Sequence, residues 1–169
     1  MNKAGKMENE IINRVAQSKL ITFDLEELYP RGERVVFDIS QWLAEGLLLR
    51  EKDFREQVKN HDWSLYKNTY VALTCTTDAI VPAWAFMLVA SQLQPHAKKT
   101  VLGNLEQLET LLYAEVLSSL EVEKYRGLPV IIKGCSKKPV PAATYLMAVE
   151  KLQAKHVLLC LFTSQTKLF

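Results

Sequence analysis

The feature that most constrains the fold is a pattern that occurs twice: an apolar, β-rich run, a cysteine, a short polar loop, Val-Pro and an apolar helix. The first copy, TYVALTCTTDAIVPAWAFML, contains Cys75, and the second, LPVIIKGCSKKPVPAATYLM, contains Cys135. A continuous apolar run is typical of a strand buried on both faces of a parallel sheet. Because a further strand-like run follows each helix, the order strand, loop, helix, strand predicts two βαβ units.

The two copies align on Pro82 and Pro141, and the likeness extends over strand, loop and helix. The matched pairs are Val81 and Val140, Ala83 and Ala142, Leu93 and Leu152, and Gln94 and Gln153. We interpret the match as an internal duplication of about 66–102 and 125–161, with a chance likeness as the alternative. Cys75 and Cys135 are then expected at equivalent bends. The predicted fold class is α/β, a largely parallel sheet flanked by helices and built from two duplicated β-loop-α-β units.

Ahead of these units, apolar residues at helical spacing predict an N-terminal amphipathic helix over residues 8–17. These residues are Ile11, Ile12, Val15 and Ala16. We expect residues 1–7 to be disordered and residues 8–169 to form a single α/β domain. A chain of 169 residues with 49% hydrophobic content is long enough to bury about 70% of its unfolded surface around one core.

The composition limits the classes of partner that the protein can bind and indicates the cellular compartment that we expect for it. The sequence contains no apolar run of the length that a membrane span requires, and its first residues lack the apolar core of a signal peptide, so we expect a cytoplasmic protein without a membrane partner. Its 21 basic and 19 acidic residues give a formal charge of +2 with scattered lysines, so no nucleic-acid partner is expected. Three cysteines without a CxxC pair favour reduced thiols and no metal site.

Several acidic or amide residues stand where a strand-like run turns into a helix. Each has Glu or Gln three positions later, as in a capping box: Asp24 with Glu27, Asp38 with Gln41, and Asn104 with Gln107. We expect these residues to cap backbone N–H groups, with a catalytic carboxylate as the less favoured alternative. Glu106 and Glu109 lie in the first turns of a predicted helix, where the helix dipole favours carboxylates and so explains their presence.

The candidate site consists of the two loops that follow the cysteines. In parallel sheets, ligands bind where strands end and helices begin, and helix N-termini favour anions. The residues expected at this rim are Cys75, Thr76, Thr77, Asp78, Cys135, Ser136 and Lys137. An alternative is purely structural, with Asp78 paired to Lys137 or Lys138 across the two halves. No glycine-rich phosphate motif is present.

The cysteines allow two interpretations. A thiolate near a helix N-terminus is a nucleophile or metal ligand, whereas a small strand-end cysteine is more often simply buried. His61, the histidine beside an acid and an aromatic residue, is expected to be structural or solvated. The sequence indicates no reaction, so the cofactor and the question of an enzyme stay open.

Four stretches carry a resemblance to a known family: VFDISQWL, LREKDFREQVKNHDWSLY, VALTCTTDAIVPAWAFML and VIIKGCSKKPVPAATY. Over roughly residues 8–158 the chain resembles the Bacteroidota family called domain of unknown function 2480. The resemblance implies a bacterial, cytoplasmic, single-domain protein and supplies no catalytic residue. The tail CLFTSQTKLF departs from the more polar, glycine-containing ending expected of the family.

Two functions are compatible with these observations. In the first, the protein binds a small anionic ligand at the two cysteine loops. In the second, it is a non-enzymatic homodimer whose loops only join strands to helices, with WSLY and the terminal KLF as candidate subunit contacts.

Overall fold

The computed structural model describes residues 20–134, 137–155 and 157–159. The strands are β1 (Ile21–Asp24), β2 (Arg34–Asp38), β3 (Tyr70–Thr74), β4 (Lys99–Leu102), β5 (Pro129–Lys133) and β6 (Leu158–Leu159). The α-helices are α1 (Glu51–Asn60), α2 (Ala83–Leu93), α3 (Leu105–Ser119) and α4 (Ala142–Gln153). The predictions of an N-terminal helix over residues 8–17 and of disorder over residues 1–7, like the C-terminal tail, lie outside the described residues.

The strands form two three-stranded sheets in which every pairing is parallel. Sheet I has the order β2-β3-β4 and sheet II the order β1-β5-β6. The predicted α/β class with parallel strands and flanking helices is therefore confirmed, although the strands are divided between two sheets. In each sheet a strand from the N-terminal forty residues lies at one edge and pairs with the strand of a βαβ unit.

The register relates the two sheets by a constant spacing. The central strands β3 and β5 begin at Tyr70 and Pro129, 59 positions apart, and these residues pair with Lys99 and Leu158, which have the same spacing. Asn68 and Gly127, also 59 apart, both adopt a left-handed backbone with φ of 63° and 68°. These matches support the interpretation of an internal duplication, which stays an interpretation.

The same spacing gives the two cysteines different counterparts in the alignment of the copies. Asp38 pairs with Thr74 and Asp24 with Lys133, so the residue after each central strand is Cys75 in sheet I and Gly134 in sheet II. Cys135 lies outside the described residues, but its position in the chain corresponds to Thr76. The cysteines are sixty residues apart and the strands 59, so the alignment offsets the two cysteines by one position, and their placement at equivalent bends stays a prediction.

Sheet I is buried on both faces, as its continuous apolar run predicts. On one face Phe37, Val71 and Leu73 pack with residues of α1 and α2 in the first core. On the other face Ala72 and Val101 pack against Leu108 and Leu112 of α3. Because β3 is in the middle of this sheet, Val71, Ala72 and Leu73 are all almost completely excluded from solvent.

Helix α3 also belongs to the core of sheet II. Leu117, near its C-terminal end, is buried with Phe23, Leu25 and Val130, a cluster that also contains Ala148 and Leu152 of α4. The Tyr113 hydroxyl donates a hydrogen bond of 3.2 Å to the Leu25 carbonyl oxygen. One helix therefore contributes side chains to the cores of both sheets.

The predicted capping residues cap helices, but only one completes a capping box. Asn104 and Gln107 exchange side-chain and backbone hydrogen bonds at the start of α3. Asp24 and Asp38 accept the amide protons of residues 26 and 40, and each caps a single-turn 3-10 helix. Gln41 donates instead to the Asp38 carbonyl oxygen. Within the described residues, no helix is both long enough and apolar enough to cross a membrane.

Candidate functional site

The first loop, residues 75–82, is fixed to the end of β2 through Asp38. One Asp38 carboxylate oxygen accepts hydrogen bonds from the Ser40 amide at 2.9 Å and the Thr76 amide at 3.2 Å, and the other accepts the Thr76 hydroxyl proton. Burial acts to raise the pKa of Asp38, but these hydrogen bonds outweigh it and hold the pKa below its usual value. Asp38 is therefore an ionised structural acceptor.

Cys75 is half-buried and bonded within its own loop. Its Sγ lies 3.7 Å from the Thr77 carbonyl oxygen and 3.5 Å from the Thr77 hydroxyl. Helix α2 begins only at Ala83, so Cys75 is too far from the helix start for the dipole, which acts within the first turn, to activate the thiol. Asp78 is exposed to solvent.

The second loop, residues 134–141, contacts different partners. The Lys137 amide donates to the Glu26 carboxylate at 3.0 Å, and the Lys138 ammonium lies 5.1 Å from the centre of the Tyr29 ring. Cys135 and Ser136 lie outside the described residues. In the part of the chain that the structure describes, no ion pair joins Asp78 to Lys137 or Lys138. The shared site at the two loops stays a prediction.

The structure does show a cleft of about 500 Å³ beside the second loop. One wall is the start of α3, with Leu105, Glu106 and Glu109, and the other is residues 139–142, which lead into α4. Tyr29 and Arg34 complete the lining. These residues come from sequence positions more than 100 apart, and α3 and α4 bring them together by packing on each other.

A buried ion pair forms part of this cleft. Arg34 Nε and Nη2 donate to the two carboxylate oxygens of Glu109 at 2.7 and 3.1 Å, and the side chains are 11% and 6% exposed. Arg34 Nη1 donates to the Gly32 carbonyl oxygen at 2.6 Å. The guanidinium carbon lies 4.1 Å from the centre of the Tyr29 ring and 5.0 Å from that of Tyr70. Arg34 is thus fixed in position and its charge is neutralised.

Two tyrosines adjoin this ion pair and stay protonated. The Tyr29 hydroxyl donates to Glu109 at 3.2 Å, and burial, followed by the Glu109 charge, raises the pKa of Tyr29. Burial, with a smaller contribution from Glu109, raises the pKa of Tyr113 to about 12. Neither phenol can serve as a general base near neutral pH.

The described residues at the cleft provide apolar, aromatic and charged contacts. Among the described residues, those that line the cleft include no serine, cysteine or histidine; Cys135 and Ser136 of the adjoining loop lie outside the described residues. No group of three or more His, Cys, Asp or Glu side chains within the described residues is arranged to hold a metal ion. His61 is structural: its Nε2 lies 3.1 Å from the Tyr66 hydroxyl, and its ring contacts Trp42 and Trp63 edge-on.

The ion pair was missed by reasoning from the sequence, which assigned Glu109 to the helix dipole. The structure corrects this, because Glu109 lies on the buried side of α3 with Leu108 and Leu112. The available signal was a carboxylate on the apolar stripe formed by Leu105, Leu112 and their neighbours. A charge in such a stripe requires a buried partner, and Arg34 at the start of an apolar strand was a candidate.

The fold and the cleft first define a class: an α/β protein of two parallel three-stranded sheets that share helix α3. Within that class, the chain belongs to the family described as Protein of unknown function (DUF2480), whose model matches residues 9–164. This confirms the family that the sequence resembles. No curated protein and no solved structure matches the chain.

Proposed function

We propose that this protein, in the bacterial cytoplasm, binds a small ligand with an apolar body and an anionic group in the cleft between α3 and the second loop. The observation that carries the proposal is the cleft itself, about 500 Å³ in volume and therefore within the size range of small-molecule sites. The predicted anionic ligand is retained, but its place is beside the second loop only.

The residues around the cleft offer contacts to both the apolar body and the anionic group of such a ligand. Leu105, Val140 and Ala142 offer apolar surface, and Tyr29 offers the face of an aromatic ring. The anionic group would meet Lys138, whose ammonium lies over that ring, and the first N–H groups of α4, a helix without a side-chain cap in the described part of the chain.

The carboxylates of the cleft do not exclude an anion. Arg34 neutralises Glu109 by a bidentate ion pair, so Glu109 contributes little net charge. Glu106 is exposed at the start of α3 and is the lining carboxylate expected to oppose an anion. Its removal should therefore strengthen binding.

Thermal-shift measurements with two matched pairs of probes test the proposal. Phenyl phosphate and hexanoate should raise the unfolding midpoint, and benzyl alcohol and hexanol should raise it less, because a ligand that binds only the folded state stabilises it. Lys138→Gln should weaken binding of the charged probes about tenfold, and Glu106→Gln should strengthen it.

A bulky substitution in the cleft distinguishes ligand binding in this cleft from ligand binding elsewhere on the protein. Ala142→Phe should abolish the shift by filling the cleft. Ala83→Phe is the matched control, because Ala83 is the first residue of α2, 59 positions earlier, and does not line the cleft. An unchanged midpoint with all four probes, or a shift that survives Ala142→Phe, would rule out this cleft as the binding site.

A further inference from the structure

Strand β4 is an open edge of sheet I. Its residues Lys99–Leu102 pair on one side with β3, and within the described residues no strand pairs with its other side. An open edge presents unpaired backbone N–H and C=O groups, to which another strand can add.

Two exposed leucines lie beside this edge. Leu102 at the end of β4 is 61% exposed, and Leu111 on α3 is 45% exposed. They line a hollow of about 300 Å³ together with Glu106, Gln107 and Thr110. A hollow next to an open strand edge can receive a side chain from the molecule that pairs with the strand, and the two leucines offer it apolar contact.

Charge is distributed unevenly along the edge. Lys98 and Lys99 stand at the start of β4, and Glu106 follows its end in the first turn of α3. In an antiparallel pairing of two identical strands, the start of one lies beside the end of the other. Within the described part of the subunit Lys99 pairs with Glu115, whereas Lys98 Nζ has only the Arg31 carbonyl oxygen at 3.4 Å and the face of the Tyr70 ring. A two-fold arrangement brings Lys98 of each copy toward Glu106 of the other, where the lysine can exchange this neutral carbonyl for a carboxylate, so the edge is complementary to itself.

The edge formed by β2 lacks this complementarity. Arg34 at its start is committed to Glu109, and Asp38 at its end accepts hydrogen bonds from Thr76 and Ser40. A second copy pairing at β2 would gain no new ion pair from these groups. Strand β6, with only two described residues, is too short to supply such a contact.

We propose that two copies of this chain pair antiparallel through β4, joining their sheets I into one six-stranded sheet and burying Leu102 and Leu111. This proposal places the contact of the homodimer expected from the sequence at β4; of the other candidate contact, WSLY, Trp63 is buried within the subunit and Leu65 is 68% exposed. The terminal KLF lies outside the described residues.

Sedimentation velocity over a concentration series tests the pairing. The full-length chain should sediment with a mass twice that of one copy, and Leu111→Glu should weaken the dimer at least about tenfold. Leu146→Glu, on α4, is the matched control because Leu146 is 72% exposed and distant in sequence from β4; it should leave the dimer intact. Circular dichroism confirms that each variant is folded.

A charge exchange tests the orientation. Lys98→Glu should weaken the dimer through repulsion with Glu106 of the other copy, and Lys98→Glu combined with Glu106→Lys should restore it. A monomer at every concentration would overturn the proposal. It would indicate that the open edge of β4 pairs with a strand of another protein instead. A dimer that resists both Leu111→Glu and Lys98→Glu would also overturn it, since its contact would lie elsewhere.

Discussion

The ion pair between Arg34 and Glu109 joins the start of β2 to helix α3 in a largely buried setting. Removing one member leaves an uncompensated charge, whereas replacing both leaves none. Glu109→Leu should therefore lower the free energy of unfolding by about 3 kcal/mol. Arg34→Met combined with Glu109→Leu should recover most of this loss in urea denaturation at pH 7. If the double variant were as unstable as the single one, the hydrogen bonds to Gly32 and Tyr29, rather than charge pairing, would dominate.

Tyr113 makes stability depend on alkaline pH. Its pKa is raised to about 12 in the folded state, above the ordinary value of 10.0, so its contribution is fully present below pH 10 and is lost as pH rises toward 12. The free energy of unfolding should fall over this range, because the unfolded chain releases the proton first. Tyr113→Phe should reduce that fall and should cost about 1 kcal/mol at pH 7, since the Leu25 carbonyl loses its donor.

The control for the pH dependence comes from the other tyrosines. Burial also raises the pKa of Tyr66, and burial with the Glu109 charge raises that of Tyr29, so the Tyr113→Phe variant should keep part of the alkaline fall. Urea denaturation at pH 9 and at pH 11 measures both effects. An equal fall in the variant and the original chain would show that Tyr113 does not titrate differently in the two states.

At the scale of the element, the start of α3 depends on Gly103. Its φ of 138° is rarely adopted by residues with a side chain, and an added Cβ would collide with the Gln107 side chain of the capping box. Gly103→Ala should therefore lower the free energy of unfolding by about 2 kcal/mol. Gln107→Ala, which loses only the capping interaction, should cost at most about 1 kcal/mol.

The Gly103→Ala/Gln107→Ala double variant distinguishes the two causes of the lost stability, which are the side-chain collision and the backbone strain. In the Gln107→Ala background, Gly103→Ala should cost less than alone, because the collision with the Gln107 amide group has gone and only the backbone strain and a tight contact of 3.2 Å with the Cβ of residue 107 are left. Urea denaturation of the four proteins completes the cycle. Additive costs would show that the side chain of Gln107 moves aside freely and that strain alone accounts for the loss.

The strands, helices and caps could be predicted because their signals are local. The apolar runs of β3 and β5, the proline before each following helix and the Asn104 capping box all act within a few residues. The spacing between the two central strands could also be predicted, because the copies aligned on Pro82 and Pro141 are 59 positions apart and the strand pairings repeat at 59. Only the two cysteines, sixty positions apart, depart from this spacing.

At the scale of the whole molecule, the cleft could not be predicted because it depends on contacts between distant segments. Tyr29, Arg34, Glu109 and Pro141 become neighbours only when α3 lies between the two sheets. Nothing local in the sequence indicates that β1 joins sheet II and β2 joins sheet I, although the two strands are adjacent in the chain. The sequence therefore points to the two loops, and it carries no local signal for the packing of α3 on α4.

The position of α3 also predicts how the molecule unfolds. Leu112 belongs to a core of sheet I and Leu117 to the core of sheet II, and truncation of a buried leucine costs about 2–5 kcal/mol. All three tryptophans, Trp42, Trp63 and Trp84, pack in the first core of sheet I and report on that sheet by fluorescence. If α3 makes the sheets cooperative, Leu117→Ala should shift the fluorescence midpoint in urea as much as Leu112→Ala does.

Comparison of two probes and one control decides whether the sheets unfold together. Circular dichroism, which reports on all helices, should give the same midpoint as fluorescence in each variant. Leu146→Ala should change neither, because Leu146 is 72% exposed on α4 and contributes little burial. A Leu117→Ala variant with an unchanged fluorescence midpoint and a separate earlier transition in circular dichroism would show two independent units. In that case α3 would stabilise sheet I alone, and the cleft between α3 and α4 would open whenever sheet II unfolds.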